Sequence, residues 1–462
     1  MEGEDYKYHR IQDALTSINQ KVSLFGSVIE IGLPRKTRGT DWVCTLKIID
    51  DSFCKNGLTV NMFSSTVEML PRILSLGDII QLSRVLIKSH HGEANAVFNK
   101  SYSWFALYEA KIDGDFLPYQ CSPKYNPRDD NFNYVSALRK WLADFRLDDG
   151  SDSFIFLREM KEREQATLAC KVLHICKVSE KQWMVLLWDG TDSPPNKIDS
   201  KLENKWEKPF PLQVEPLPLA RDISCTFPAV GTILRVMIDQ ENEKHVLHLL
   251  NIGKWVKFLS ILCEVHVGLW RGVLTPFTKL RYISNESPIA LACQKSSDAR
   301  LSSRSRRIPY WCFAWHSSVT EIDYDGTTFV TLMDVLTHSQ VTAKFKCIVR
   351  AVAAFPWEVE DYCNSDGTYG IRLTIEDPTA RIHAYIYAED GEEFFGGHPS
   401  IDVLRNKRNT LLGVAVNDEG KEVTGAPRNP PWIECCIKSY YIDINNKWGS
   451  RHFRIFATKH VA

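Results

Sequence analysis

Three times the chain runs an apolar stretch into an aspartate, a turn former and a hydroxyl residue. The copies are Ile48-Ile49-Asp50-Asp51-Ser52, Leu187-Trp188-Asp189-Gly190-Thr191 and Ile375-Glu376-Asp377-Pro378-Thr379. An apolar run of five to eight residues stopped by Asp and a turn residue reads as a strand entering a tight turn. The three aspartates stand far enough apart for each to belong to its own domain. A recurrence at domain-sized spacing predicts one β-rich module used three times.

The stretches around each copy define the module. In the first, Val22–Gly32 alternates as a long strand with Gly26 permitting a bend. Leu33–Asp41 is a loop with Pro34, Gly39 and three basic residues. Trp42–Ile49 and Leu58–Phe63 follow as strands, then a helical turn at Thr66–Ile73. Ile79–Lys88 is the fourth strand, a polar loop carries His90, His91 and Gly92, and Ser103–Lys111 closes the set. Five strands with a helical element after the third predict an OB-fold, a small Greek-key barrel.

The other two modules follow suit. The second opens near Thr167 with the hairpin LACKVLHICKV and QWMVLLWDGTD. A Pro-rich insertion covers Pro194–Pro218, and Gly231–Ile238 matches the fourth strand of the first module. In the third, Leu332-Met333-Asp334 echoes Ile11-Gln12-Asp13, each ahead of a first strand. Strands at Tyr369–Ile375 and Ala380–Tyr387, a helix at Ile401–Leu411, and strands near Trp432–Tyr441 and His452–Thr458 complete it. The expected class is therefore mainly β, with three five-stranded Greek-key barrels in tandem. The divisions are 1–118, a linker and helix over 119–148, 149–284, a basic linker over 285–307, and 308–462. The linker run RLSSRSRR, with Arg300, Arg304, Arg306 and Arg307, reads as a solvated hinge or as an import or phosphate-contacting segment.

Such barrels offer a groove across strands two and three, walled by the loops between strands one and two and between four and five. Single strands lie there with bases stacked on aromatics and phosphates facing cations. With a formal net charge of −1 no global field attracts nucleic acid, so local patches must do it. The first module supplies Arg35, Lys36 and Arg38 in one wall, Phe63 at the end of the third strand, and Lys88 and His90 at the other wall. Asp41 repels phosphate, so it either shapes its turn or accepts hydrogen bonds from a base edge such as that of guanine.

Other chemistries are poorly supported. No H-E-x-x-H, G-x-S-x-G or phosphate loop occurs, so no enzyme is expected. The 13 cysteines fall at irregular spacings without C-x-x-C, which argues for reduced thiols and against a zinc site. No cofactor or metal is expected. No run of 18 apolar residues is present, and MEGEDYKYHR has no targeting character.

The stretches GTDWVCTLKIIDDS, VNMF and LPRILSLGDIIQLSRVLIK, then LLWDGT and AVGTILRV, then FKCIVRAVAAFPWE, resemble in order the protection-of-telomeres family, in its compact plant-type form. The resemblance implies that the first two barrels grip G-rich telomeric single strands. It assigns stacking to Phe63, base reading to the basic-Gly-Thr-Asp motif of Arg38, Thr40 and Asp41, and DNA contact to His266, Trp270 and Arg271. Glu30 and Ile31 stand where animal members carry first-strand aromatics, and His90 where an aromatic is expected. The implied role is end protection and control of telomerase access at nuclear telomeres. The implied partners are telomeric single-stranded DNA and, through the third barrel, telomerase or capping proteins. The alternative is a scaffold associated with telomerase or the telomere-replication complex, its barrels degenerate and its DNA binding weak.

Overall fold

The computed structural model describes residues 7–128, 130–145, 154–195, 227–228, 230–266, 268–283, 287–305, 319–417, 420–423 and 425–462. A four-residue helix, α1 (Ile11–Ala14), leads into the first barrel. Its strands are β1 (Lys21–Gly32), β2 (Trp42–Ile49), β3 (Leu58–Ser64), β4 (Ile79–His90) and β5 (Glu93–Phe98). They pair in the cycle β1–β2–β3–β5–β4, and β4 closes on β1. Only β3 and β5 run parallel. That is the OB-fold connectivity.

Side-chain periodicity explains the closure. Along β3, Leu58, Val60, Met62 and Ser64 are buried, while Thr59, Asn61 and Phe63 face outward half-exposed. β1 is buried along nearly its whole length because both of its faces and edges are used. At Gly26 a Cβ would lie 3.1 Å from the Ile48 side chain, so any larger residue would press on Ile48 where β1 crosses close to β2. β6 (Trp104–Tyr108) pairs with β4, and helix α2 (Asn131–Asp144) packs Val135 and Leu138 against Phe25 and Tyr108.

The second barrel repeats the cycle with β7 (Gln165–Ser179), β8 (Gln182–Trp188), β9 (Leu234–Asp239), β10 (Trp255–His266) and β11 (Leu269–Val273). Helix α3 (Gln240–Val246) sits between its third and fourth strands. β12 (Lys279–Tyr282) and helix α4 (Pro288–Ser305) follow. In the third barrel α5 (Leu332–Thr337) leads into β13 (Lys344–Phe355), β14 (Gly370–Glu376), β15 (Arg381–Tyr387), β16 (Trp432–Tyr441) and β17 (Arg451–Phe456). Helices α6 (Glu389–Phe395) and α7 (Ile401–Leu412) lie between β15 and β16, and the barrel is closed.

The recurring aspartates are one clasp built three times. In each barrel the aspartate ends the second strand, and its Oδ2 accepts the backbone N–H of the residue that opens the helical turn before the first strand. These contacts are Ile11 to Asp50 at 2.8 Å, Leu157 to Asp189 at 2.7 Å and Leu332 to Asp377 at 2.7 Å. Oδ1 accepts the backbone N–H and hydroxyl of Ser52, Thr191 or Thr379. The same hydroxyl oxygen accepts the next helical N–H, from Gln12, Arg158 or Met333. One Asp-x-Ser/Thr turn thus satisfies the first two orphan donors at a helix start. It also pins that helix across the barrel.

Several sequence-based boundaries need correction. The fifth strand of the first barrel is Glu93–Phe98, and Trp104–Tyr108 is a sixth strand paired with the other half of β4. The polar run after His90 hides a strand because only Ala96 and Phe98 are fully buried in it, with Ala94 partly buried beside them. In the second barrel the stretch ending at Ile238 is the third strand: β9 pairs with β8 and runs parallel to β11. The fourth is Trp255–His266. The presumed basic linker is helical over Pro288–Ser305, with Ala290 and Cys293 buried against Trp255. The Pro-rich insertion from residue 196 onward, Arg306 and Arg307 lie outside the described residues.

Two seams join the barrels. β12 pairs on one edge with β10 and on the other with β1, so one sheet runs from the second barrel into the first. At the second seam the Trp432 indole N–H donates to Asp192 Oδ2 at 2.9 Å. There the Gly268 turn approaches the Arg381 guanidinium so closely that a Cβ would collide with it.

Candidate nucleic-acid interface

The loop between β1 and β2 folds back as a short hairpin. Arg35 and Lys36 form a two-residue strand against Val43 and Trp42. The backbone N–H and hydroxyl of Thr37 both donate to the Asp41 carbonyl, at 2.8 and 2.7 Å. Arg35, Lys36, Arg38 and Thr40 are exposed along this hairpin. It forms one wall of the groove, and its base adjoins the second barrel. The Arg35 guanidinium lies 5.8 Å from the ring centre of Phe277, an exposed residue just before β12.

Three outward rows make the floor. Arg35, Val43 and Phe63 stand in register across three strands. The next row holds Lys279, Gly32, Thr45, Asn61 and Val97, with the Thr45 hydroxyl donating to Asn61 Oδ1 at 3.1 Å. The third holds Arg281, Glu30, Lys47 and Thr59. The floor therefore extends onto β12 of the second barrel. Phe63 is the aromatic face of this floor, with Arg35 in its own row, Lys279 in the next and Lys47 and Arg281 in the third.

Glu30 has a role that sequence position alone did not reveal. It is 2% exposed; Oε1 accepts from Lys279 Nζ at 2.7 Å, and Oε2 from Arg281 Nη2 at 2.7 Å and Nε at 2.9 Å. Burial alone would raise its carboxyl, yet the two cations hold it below the ordinary carboxylate range. Lys47, opposite it, is pushed below the usual lysine range by burial despite Glu30. An ion cluster in the first strand thus ties the first two barrels together.

Asp41 is placed at the rim, half-buried, with Lys100 Nζ 2.6 Å from its Oδ1 and the Thr40 hydroxyl at 3.4 Å. Lys100 comes from the turn after β5, so the acid links two edges of the groove. Lys88 and His90 are exposed at the end of β4, on the opposite wall. His91 and Gly92 make the turn with φ of 51° and 84°, and the His90 and His91 rings meet edge-on at 4.2 Å.

The second-barrel residues are divided. His266 is exposed at the end of β10 and pairs with Leu269 across the hairpin, and Arg271 is half-exposed on β11. Trp270 is not available as a stacking platform. It is 8% exposed, and its indole N–H donates to the Pro194 carbonyl at 2.7 Å beside Arg350 and Arg381 of the third barrel. Strand alternation turns it inward and the third barrel covers it. The floor residues Lys47, Asn61, Lys279 and Arg281 escaped sequence reading. The strict alternation of β3 could have flagged Asn61, but nothing local signals that β12 joins β1.

Among the described residues no cluster of three His, Cys, Asp or Glu side chains is arranged to hold a metal ion. No helix there is long and apolar enough to cross a membrane.

Two family models match the chain: "Telomeric single stranded DNA binding POT1/CDC13" over residues 2–150, and "POT1A-like, OB fold domain" over 315–446. Protection of telomeres protein 1b of Arabidopsis thaliana is 39% identical over 457 residues, covering 98% of each chain. Protection of telomeres protein 1a of the same plant is 40% identical over 476 residues, covering 99% of this chain and 98% of its own. The human Protection of telomeres protein 1 is 23% identical over 245 residues, 52% of this chain and 35% of its own.

Proposed function

The chain belongs to the protection-of-telomeres family, and from that premise we propose that it binds single-stranded G-rich telomeric DNA, protects chromosome ends and limits telomerase access by occupying the overhang. The observation that carries this is the three-row floor of the first barrel. A single aromatic, Phe63, shares a row with Arg35, a polar Thr45–Asn61 pair lies beside it, and cations stand at both walls. Stacking on one face while phosphates meet flanking cations is how such grooves hold a single strand. Asp41 adds selectivity. A carboxylate at the rim accepts from the N–H edge of guanine and repels a misplaced phosphate. Lys100 neutralises it until a base arrives.

The floor runs onto β12, so a strand leaving Phe63 meets Lys279 and then the second barrel, where His266 and Arg271 extend the track. Trp270 has no part in this reading. The proposed site is Arg35, Lys36, Arg38, Thr40, Asp41, Phe63, Lys88, His90, His266 and Arg271. The role is one of binding rather than catalysis, and it places the protein in the nucleus, at the chromosome end. The test is a salt-dependent titration of full-length protein with a G-rich telomeric strand and a scrambled strand of equal length. Preference for the telomeric strand, with a slope reporting several phosphate contacts, supports the proposal. Equal affinity for the two refutes sequence-selective capping and leaves the scaffold alternative.

A further inference from the structure

The third barrel would serve only as a protein-docking unit on family analogy, yet its outer face carries aromatic rings interleaved with cations. Phe355, Arg372, Tyr385 and Arg454 stand in one row across β13, β14, β15 and β17. All four are half-exposed and point away from the core, which is made by the alternate residues Ile371, Leu373, Ala384, Ile386, Phe453 and Ile455. The sequence of the row is aromatic, cation, aromatic, cation. Arg372 lies 5.1 Å from the centre of the Phe355 ring, and Arg454 lies 5.5 Å from that of Tyr387, which is 48% exposed at the end of β15. His452 packs its ring 6.0 Å from Tyr385.

Charge on this face is positive. Arg454 and Lys438 share one carboxylate, Asp390, with Lys438 Nζ at 3.0 Å. The loop between the fourth and fifth strands walls the face and exposes Ile442, Ile444 and Trp448. At its other end the face meets the second barrel. There Arg350 and Arg381 both grip Glu376, directly beside the Gly268 turn that carries Trp270. A track leaving the His266–Arg271 hairpin therefore arrives at this face.

We propose that the third barrel is itself a single-stranded nucleic-acid-binding module, stacking bases on Tyr385, Tyr387 and Phe355 while Arg372 and Arg454 meet the phosphates. This extends the function proposed above from two barrels to three. Alternation of flat faces with guanidinium groups in the groove of a Greek-key barrel is the arrangement that accepts a strand without reading its sequence. An acidic peptide would meet the arginines but brings no planar faces for the aromatics between them, whereas a nucleotide strand supplies both.

The experiment uses full-length protein and five probes: a G-rich core oligonucleotide, a scrambled strand of the same length, the core extended at its 5′ end or at its 3′ end by about 10 thymidines, a length within one barrel's footprint, and a thymidine strand alone. Wild type should bind one extended form about tenfold or more tighter than the core, one to two stacked bases being removed in the variants. The Arg372→Ala/Tyr385→Ala double variant should lose that gain and keep its affinity for the core. Tyr387→Ala, at an exposed position that cannot unfold the barrel, should lose part of it. Equal binding of core and both extended forms by wild type overturns the proposal. So does an undiminished gain in both variants, including the case where they lose a protein partner instead. If the core shows no preference over a scrambled strand but the thymidine strand binds wild type and not the double variant, telomeric selectivity falls and the third-barrel site stands.

Discussion

Replacing Glu30 by alanine should open the seam between the first two barrels without unfolding either. The Arg281 side chain is 9% exposed and gives Glu30 two hydrogen bonds, whereas the Lys279 side chain is 36% exposed and gives one. Removing one partner of a buried ion pair costs about 3–5 kcal/mol because the other charge stays buried. Lys279 can turn to water and adds little. Only the Arg281 interaction then counts in full, and the lower end, about 3 kcal/mol, applies. Lys279→Ala should cost no more than about 1 kcal/mol, the value of a partly exposed pair. The asymmetry between the two variants is the signature of this geometry. With the seam loosened, a strand spanning both barrels loses the gain that comes from holding two sites at a fixed distance. The assay pairs thermal unfolding with titration of a short oligonucleotide, which fits one barrel, and a long one, which spans two. Glu30→Ala should lower the first transition and weaken the long strand far more than the short. If the variant unfolds as wild type does and the ratio of the two affinities is unchanged, β12 does not couple the barrels. Acid should have the same effect. The carboxyl is depressed when folded, so its contribution is present above about 4.5 and fades as pH falls through the lower folded value.

Phe63→Ala should weaken binding to a G-rich strand by about tenfold or more, the loss of one base stack, with little change in thermal stability because Phe63 faces outward; a change confined to stability would contradict the stacking role. Asp377→Ala strips the acceptor from the N–H groups of Leu332, Thr379 and Ala380 and from the Thr379 hydroxyl. At about 1–3 kcal/mol for each donor left buried and unsatisfied, urea titration should show the third barrel unfolding well before the others. Glu376 is held at about 2: burial alone would raise it, but Arg381 and Arg350 prevail. Its contribution is intact above about 4.5 and is lost as pH falls from there through about 2, so amide exchange in β14 and β15 should quicken across that window and the Glu376→Gln variant should show a flatter profile.

The barrel repeat was legible because its signal is local. A strand that ends in Asp-x-Ser/Thr carries within five residues both the turn and the acceptor that a helix start needs. That helix start is itself visible as Ile11-Gln12-Asp13 and Leu332-Met333-Asp334. The second copy, Leu157-Arg158-Glu159, docks on Asp189 in the same way, and Glu159 returns its carboxylate to the Phe156 N–H at 2.8 Å. Its apolar neighbours Phe154 and Phe156 obscured the echo. The hairpin rim was legible for a related reason: Arg35, Lys36, Arg38, Thr40 and Asp41 follow one another in the chain, so a loop is enough to gather them.

What escaped depends on pairing between distant segments. Trp270 looks like a stacking residue in a hairpin, but its strand turns it toward the core, where its indole N–H is held by the Pro194 carbonyl and Arg350 and Arg381 of the third barrel lie beside it. Glu30 looks like the loss of an aromatic platform until β12, some 250 residues later, brings Arg281 to it. Neither contact has a local periodicity, because register across a seam is set by two separate strands meeting edge to edge. The consequence reaches function. A charge in the first strand makes a fixed junction, and a fixed junction makes long strands bind better than the sum of short ones. In this chain affinity is therefore expected to reside less in any one aromatic than in the spacing the seams impose, with Phe63 at one end of the track and the Tyr385 row at the other.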